Sequence, residues 1–188
     1  MDPRVARTRL SLQEALLALA RERPLDEVTI GDIAERAGVN RSSFYQHYSD
    51  KETLLADALE TAIDDVAGHL DTSPAEVLQM PPELFAYLEH IDHNAALYRR
   101  ILGDRGSAVV VARLRERIEV IVADAVSTVD VATFRGVPND VVAAAIAGTA
   151  LGVITAWVSR GDRPDVAVAA DWLWRMLLGP ADELKPGG

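Results

Sequence analysis

The sequence predicts an all-α protein of about nine helices, and three observations carry that expectation. Apolar residues recur at the helical period almost everywhere. No run alternates convincingly like a strand. Helix start and stop signals fall at the ends of the apolar stripes. At 188 residues the chain is one large domain or two small ones, long enough to bury a real core.

Leu12, Ala15, Leu16 and Leu19 stand at i, i+3, i+4 and i+7, one face of a first helix ending near Pro24. Thr29 and Asp32 then form a threonine-x-x-acid start signal ahead of the apolar pair Ile33 and Ala34. Gly38 supplies a residue able to turn with positive φ, and Val39 drops an apolar anchor between two short helices. Asn40 caps the second of them, whose outward residues include Arg41, Ser42, Tyr45, Gln46 and His47. This is the layout of a helix-turn-helix, in which the first helix braces and the second enters a major groove.

A polar helical hairpin without any ligand shares that spacing, so residue identity has to decide. A solvated helix face usually carries Glu and Lys in i,i+4 pairs, yet Arg41 to Asp50 holds no acid until its last position. Two Tyr and one Phe within five residues are also costly to leave idle on a surface.

Ser49-x-x-Glu52 reads as a capping box opening a long helix over 50–70, with Leu55, Leu59, Ile63, Val66 and Leu70 along one side. Asp71 to Pro82, with three prolines, breaks the chain. Leu84, Leu88 and Ile91 mark another helix with Pro81 and Pro82 at its start. Asn94 is the expected cap of a short helix carrying Leu97, Tyr98 and Ile101 and stopped at Gly103. Ser107 opens a longer one with Val111, Leu114, Ile118, Ile121 and Ala125 inward. After a loop over 127–139, two last helices run from about Asp140 to Ser159 and from Asp165 to Leu178. The tail 181–188 reads as disordered. The expected domains are a head over 1–51 and a second domain over 52–180, joined by the long helix.

A net charge of −10 argues at first against a nucleic-acid partner. The distribution answers the objection: residues 1–51 hold eight Arg/Lys and eight Asp/Glu, whereas residues 52–188 hold eleven bases and twenty-one acids. A neutral head on an acidic body is the pattern of a protein that meets DNA at one end only. Arg4, Arg7 and Arg9 precede the expected first helix, and Arg41, His47 and Lys51 cluster around the second helix of the motif. The chain has no cysteine, which excludes disulfides, thiolate chemistry and Cys-based zinc sites. Its first residues lack an apolar signal-peptide region, and a cytoplasmic location is expected.

Val141 to Ser159 carries no charge and reaches the length of a membrane span, with Gly148-x-x-x-Gly152 inside it. It is mostly Ala, Gly, Thr and Val, poor in the Leu and Phe that drive insertion. No membrane is therefore expected. Small residues let helices approach closely, which suits the middle of a subunit interface. The predicted two-fold dimer contact uses Ala144, Gly148, Leu151, Gly152, Trp172 and Met176.

His90 and His93, beside Glu89 and Asp92, have metal-ligand flavour but lack identifiable further ligands, so no metal or cofactor is expected. No Gly-rich phosphate loop or G-x-S-x-G elbow appears, and Ser42 and Ser43 near His47 have no evident oxyanion hole. An enzyme is not predicted. Phe85, Leu88, Tyr98, Ile101, Leu114, Ile118 and Trp157 are the candidates for lining a small-molecule cavity between helices.

The segment T-x-x-x-I-A-x-x-A-G-V-N-R-S-S-F-Y-x-H-Y-x-D-K-x-x-L-L, beginning at Thr29, resembles the DNA-binding head of the TetR family of bacterial transcriptional regulators. The resemblance covers roughly residues 4–55. The stretch N-x-A-L-Y-R-R-I-L-G from Asn94 to Gly103 is similar to the subgroup related to dihydroxyacetone-kinase regulators. The resemblance implies homodimers whose last two helices pack as a four-helix bundle, on a palindromic double-stranded operator near the nucleoid. It also implies a C-terminal pocket for a small effector that changes the spacing of the two heads. By position, Thr29 would contact phosphate at a helix N-terminus, and Tyr45 and Lys51 would hold backbone phosphates. Arg41, Ser42, Ser43, Gln46 and His47 sit where relatives reach base edges or nearby phosphates. Gly31 lacks a side chain where certain members place a base-reading arginine, so the operator cannot be copied across. Phe44 and Tyr48 are expected to pack internally. The expected activity is that of a ligand-responsive repressor. The alternative is a regulator or coactivator whose C-terminal domain docks a protein partner instead of a small molecule.

Overall fold

A computed structural model describes residues 3–67, 80–103, 106–128 and 134–178. Among the described residues there are nine α-helices and no strand. They are α1 (Pro3–Glu22), α2 (Ile30–Arg36), α3 (Arg41–His47), α4 (Lys51–Ala67), α5 (Pro82–His93), α6 (Ala95–Leu102), α7 (Ala108–Thr128), α8 (Asn139–Val158) and α9 (Val166–Leu178), with a 3-10 turn at Leu25–Glu27. The all-α expectation and the number of helices hold. The predicted end of the long helix at 68–70, most of the break that follows it and the tail 181–188 lie outside the described residues.

Two compact units emerge, Met1–Ala62 with Asn94–Leu114 and Ile63–His93 with Arg115–Gly188. This division differs from the expected boundary at 51/52. In the first unit, α6 packs on α1 and Arg113 in the opening of α7 bonds to α4, which the charge split along the chain does not reveal. The fully buried Leu12, Leu16, Ile33, Phe44, Leu54 and Leu59 are among this unit's core residues. α1 packs on α2 and on α6, and α2 on α3. Ionic contacts reinforce the same joins. Arg100 of α6 pairs with Asp26 of the 3-10 turn. Arg113 of α7 makes two bonds of 2.8 and 2.6 Å to the Glu60 carboxylate of α4, the forked geometry that gives Arg–carboxylate pairs their specificity.

Two predicted caps are corrected. α4 starts at Lys51 and is capped by Asp50, whose Oδ1 accepts from the Thr53 amide at 2.7 Å and the Thr53 hydroxyl at 2.9 Å. Ser49 sits one residue too early and instead donates its hydroxyl to Asp50 at 2.8 Å. A carboxylate is the stronger acceptor, and its charge suits the positive end of the helix. Asn94 does precede α6, but its side chain makes no cap bond. It is buried and accepts from Arg21 of α1 at 3.2 Å, so a long-range partner outcompetes the local one.

In the second unit α8 packs along α9, and α5 on α9. Val142, Ala143, Ala147, Leu151, Ile154, Trp157 and Val158 are the buried residues of α8. The loop between α8 and α9 is tied down at Trp157, whose indole N–H donates to the Pro164 carbonyl at 2.9 Å. The Arg163 guanidinium lies 5.5 Å from the centre of the Trp157 ring and pairs with Asp92 of α5 at 2.7 Å. α8 is long and apolar enough to cross a membrane. Its packing against α9 supplies the alternative role for such a helix, a core element.

Candidate nucleic-acid interface

Each end of the α2–α3 hairpin is fixed by its own residues. Thr29 forms a reciprocal capping box with Asp32: the Asp32 amide donates to the threonine hydroxyl at 3.2 Å, and the Thr29 amide donates to the Asp32 carboxylate at 2.9 Å. The bond from the Thr29 amide and a second one from its hydroxyl at 2.8 Å, with the nearby Arg23, hold the Asp32 carboxyl below the usual carboxylate range. At the turn, Gly38 adopts φ +69, a conformation that L side chains rarely take. The Val39 amide then returns to the Ala34 carbonyl at 2.9 Å. Asn40 caps α3 by accepting from the Ser43 amide at 2.7 Å.

With its backbone fixed in this way, α3 buries Phe44 and exposes Arg41, Ser42, Tyr45 and Gln46, while Ser43 and His47 are half-buried. Phe44 and Tyr48 pack inward as expected. Ser42 and Ser43 both donate their hydroxyls to the Asn40 side chain, at 2.6 and 3.0 Å. Their donors belong to the cap, which leaves the oxygen lone pairs for any ligand. Arg41 lies along Tyr45 one turn later, its guanidinium carbon 5.9 Å from the ring centre. The two residues therefore present one combined surface, a planar cation over an aromatic face.

Lys51 has a placement that its position in the motif does not reveal. Its ammonium donates to the carbonyls of Leu25 at 2.6 Å and Val28 at 2.8 Å, tying α4 to the chain just ahead of Thr29. An ammonium has three donors, so one N–H remains beyond these two bonds.

The polar group behind α3 has no local signature in the sequence. Asp57 of α4 accepts from the Tyr48 hydroxyl, from Gln13 at 2.7 Å and from Arg9, both of α1. Gln13 also donates to Thr61 at 3.1 Å, and Arg9 to the Tyr48 oxygen at 3.3 Å. Burial pushes the Tyr48 phenol up to about 12, reinforced by its bond to Asp57. For Asp57 burial acts to raise the carboxyl, but the bonds from Tyr48, Gln13 and Arg9 outweigh it and leave the group below its ordinary value. Sequence separations of 39 to 48 residues hide most of these contacts from any local pattern.

The remaining predicted sites fall as follows. Of the pocket candidates, Tyr98, Ile101 and Leu114 belong to the first unit, and Phe85, Leu88, Ile118 and Trp157 to the second. Leu88, Tyr98, Ile101, Leu114 and Trp157 are buried, and Phe85 and Ile118 are half-buried. Of the dimer candidates, Ala144, Gly152 and Met176 are exposed, and Gly148 and Trp172 are half-buried. Leu151 faces inward at 8% exposure. His93 turns its Nδ1 to the Glu89 carbonyl at 2.7 Å, and no metal-holding cluster of His, Asp or Glu occurs among the described residues.

The family model described as "Bacterial regulatory proteins, tetR family" matches residues 12–58, the capped hairpin together with the elements that brace it. Residues 12–58 thus match the DNA-binding region of the TetR family. Over 79 residues it is 38% identical to YxbF of Bacillus subtilis strain 168, an uncharacterized HTH-type transcriptional regulator, in a match covering 40% of this chain and 21% of that protein. It is 31% identical over 94 residues to the HTH-type transcriptional repressor KstR2 of Mycolicibacterium smegmatis, covering 46% of each. The chain thus spans less than half the length of these two curated relatives. Among solved structures, the dihydroxyacetone kinase operon activator DhaS superposes with a TM-score of 0.65 at 17% identity, over 91% of this chain and 94% of that one. That likeness is one of fold, and it takes in the C-terminal helices as well as the head.

Proposed function

We propose that this protein is a ligand-responsive transcriptional repressor of the TetR family that binds a palindromic operator as a homodimer in the bacterial cytoplasm. The observation that carries the reading is the outer face of α3. Arg41, Ser42, Tyr45 and Gln46 are open to solvent on a helix held at both ends, with no carboxylate from residue 41 to residue 49. Arg41 is suited to a guanine edge through its paired N–H groups, and Gln46 to an adenine. Thr29, Tyr45 and Lys51 are assigned to phosphates, Lys51 through its remaining N–H, and His47 to the edge of the same surface. The likeness over 94 residues to a protein named a repressor supports the sign of regulation.

The dimer reading rests on α8. Ala144, Ala145, Gly152 and Ala156 are exposed along one side, and a side-chain carbon built on Gly148 or Gly152 would meet nothing within 4 Å. A second copy of the same stripe fits that surface by close approach of small residues, and a palindromic operator calls for two α3 helices about one DNA turn apart or more. An effector shifts the spacing of the heads only by binding one spacing more tightly than the other.

The test is selection of bound duplexes from a random DNA pool by the full chain, repeated with candidate ligands. An enriched inverted repeat supports the reading, and the absence of any enriched motif overturns it.

A further inference from the structure

We propose that Asp57 is the positioning residue through which α4 sets the direction of α3. The inference deepens the DNA-reading function and rests on it. Tyr48 is the C-cap of α3, 4% exposed, with its amide on the Phe44 carbonyl at 2.9 Å, so its ring cannot move without moving the end of the helix. Its hydroxyl donates to Asp57 in the second turn of α4. The same carboxylate takes Arg9 on its other oxygen and Gln13 beside Tyr48, so α1, α3 and α4 converge on two oxygen atoms.

Apolar packing alone would not do this. Phe44 and its neighbours hold α3 against the head, but contacts between smooth side chains tolerate sliding and rotation. Hydrogen bonds to one charged group tolerate neither, because they weaken steeply with distance and angle. The cluster is also costly to leave half-made. A carboxylate with 14% side-chain exposure that loses one partner keeps much of its desolvation penalty. A displacement of α4 therefore carries Tyr48 with it in preference to breaking the bond. Within the first unit, Asp57 is the point at which α4 holds the end of the recognition helix.

The test uses the full chain with Tyr48→Phe, which keeps the ring, and Asp57→Asn, which keeps the volume. Amide hydrogen exchange at Tyr45–Tyr48 is expected to quicken about tenfold in each variant, the scale set by losing a charge-assisted bond. Amides of residues 54–59 in α4 should keep their rates. The double variant should exceed neither single one by much, because both remove the same link. Operator affinity should fall about tenfold, while binding to unrelated duplex, set mainly by charge, stays level. Unchanged exchange in α3, or equal quickening through α1, α3 and α4, would overturn the proposal. Quickened α3 exchange in a chain that enriches no DNA motif would uphold the coupling and reject the DNA reading.

Discussion

Replacing Lys51 with methionine separates two roles that a single side chain combines here. The ammonium is bonded to the Leu25 and Val28 carbonyls at 2.6 and 2.8 Å, and it is also the predicted phosphate contact. Methionine keeps most of the stem and removes all three donors. A hydrogen bond to a charged group contributes about 1.5–3 kcal/mol, but this site is only part-buried and water can replace the lost donor at either carbonyl. The expected net loss is about 1–2 kcal/mol of stability for the pair of bonds. For a chain of this size that lowers Tm by roughly 2–8 °C. The assay is thermal or urea denaturation without DNA, followed by DNA titration at several salt concentrations. If Lys51 also holds a phosphate, the slope of log affinity against log salt should flatten by about one ion. Unchanged stability would refute the clamp, and an unchanged salt slope with full loss of stability would reduce Lys51 to a structural residue.

Other predictions follow from the same geometry. Ser42→Ala with Ser43→Ala should leave the selected DNA motif unchanged while lowering stability by about 0.5–2 kcal/mol, since both hydroxyls serve the Asn40 cap; loss of a specific base preference would contradict this. Gly152→Leu should leave each protomer folded, because the added side chain meets open space, yet shift the protein from dimer to monomer in sedimentation; an unaltered dimer would move the interface away from α8. On the acid side, Asp57, Asp32 and Asp50 all ionise more readily in the folded chain, so their contribution is complete above the unfolded value near pH 4 and is lost as pH falls through the folded values. Asp57→Asn should make that acid limb shallower in pH-dependent denaturation, and an identical limb would count against the cluster. On the alkaline side, Tyr48 contributes below about pH 10 and is lost progressively toward about 12. Tyr48→Phe should flatten the decline above pH 10.

What was legible in the sequence is what is local. The Thr29–Asp32 box, the Gly38 turn and the Asn40 cap each close within three or four residues, so spacing alone announces them. The stripe Leu12, Ala15, Leu16, Leu19 announces α1 in the same way. Ser49 and Asp50 are both good cap residues, and only the backbone decides between such neighbours. Asn94 has the sequence signature of a local cap, while its partner Arg21 is 73 residues away. The Asp57 cluster stayed hidden for the same reason: an aspartate in the middle of a helix looks like a solvated face until α1 is folded against it. The second role of Lys51 depends on a carbonyl pair that no residue type encodes.

The central claim is that α3 reads base sequence. Motif selection with Gln46→Ala beside the unsubstituted chain tests it most directly, since Gln46 is exposed on α3 and no described contact ties it to the fold. The account predicts that both proteins enrich an inverted repeat and that the variant loses preference at one symmetric pair of positions, with about 1–3 kcal/mol less discrimination there. An identical motif at every position would contradict it.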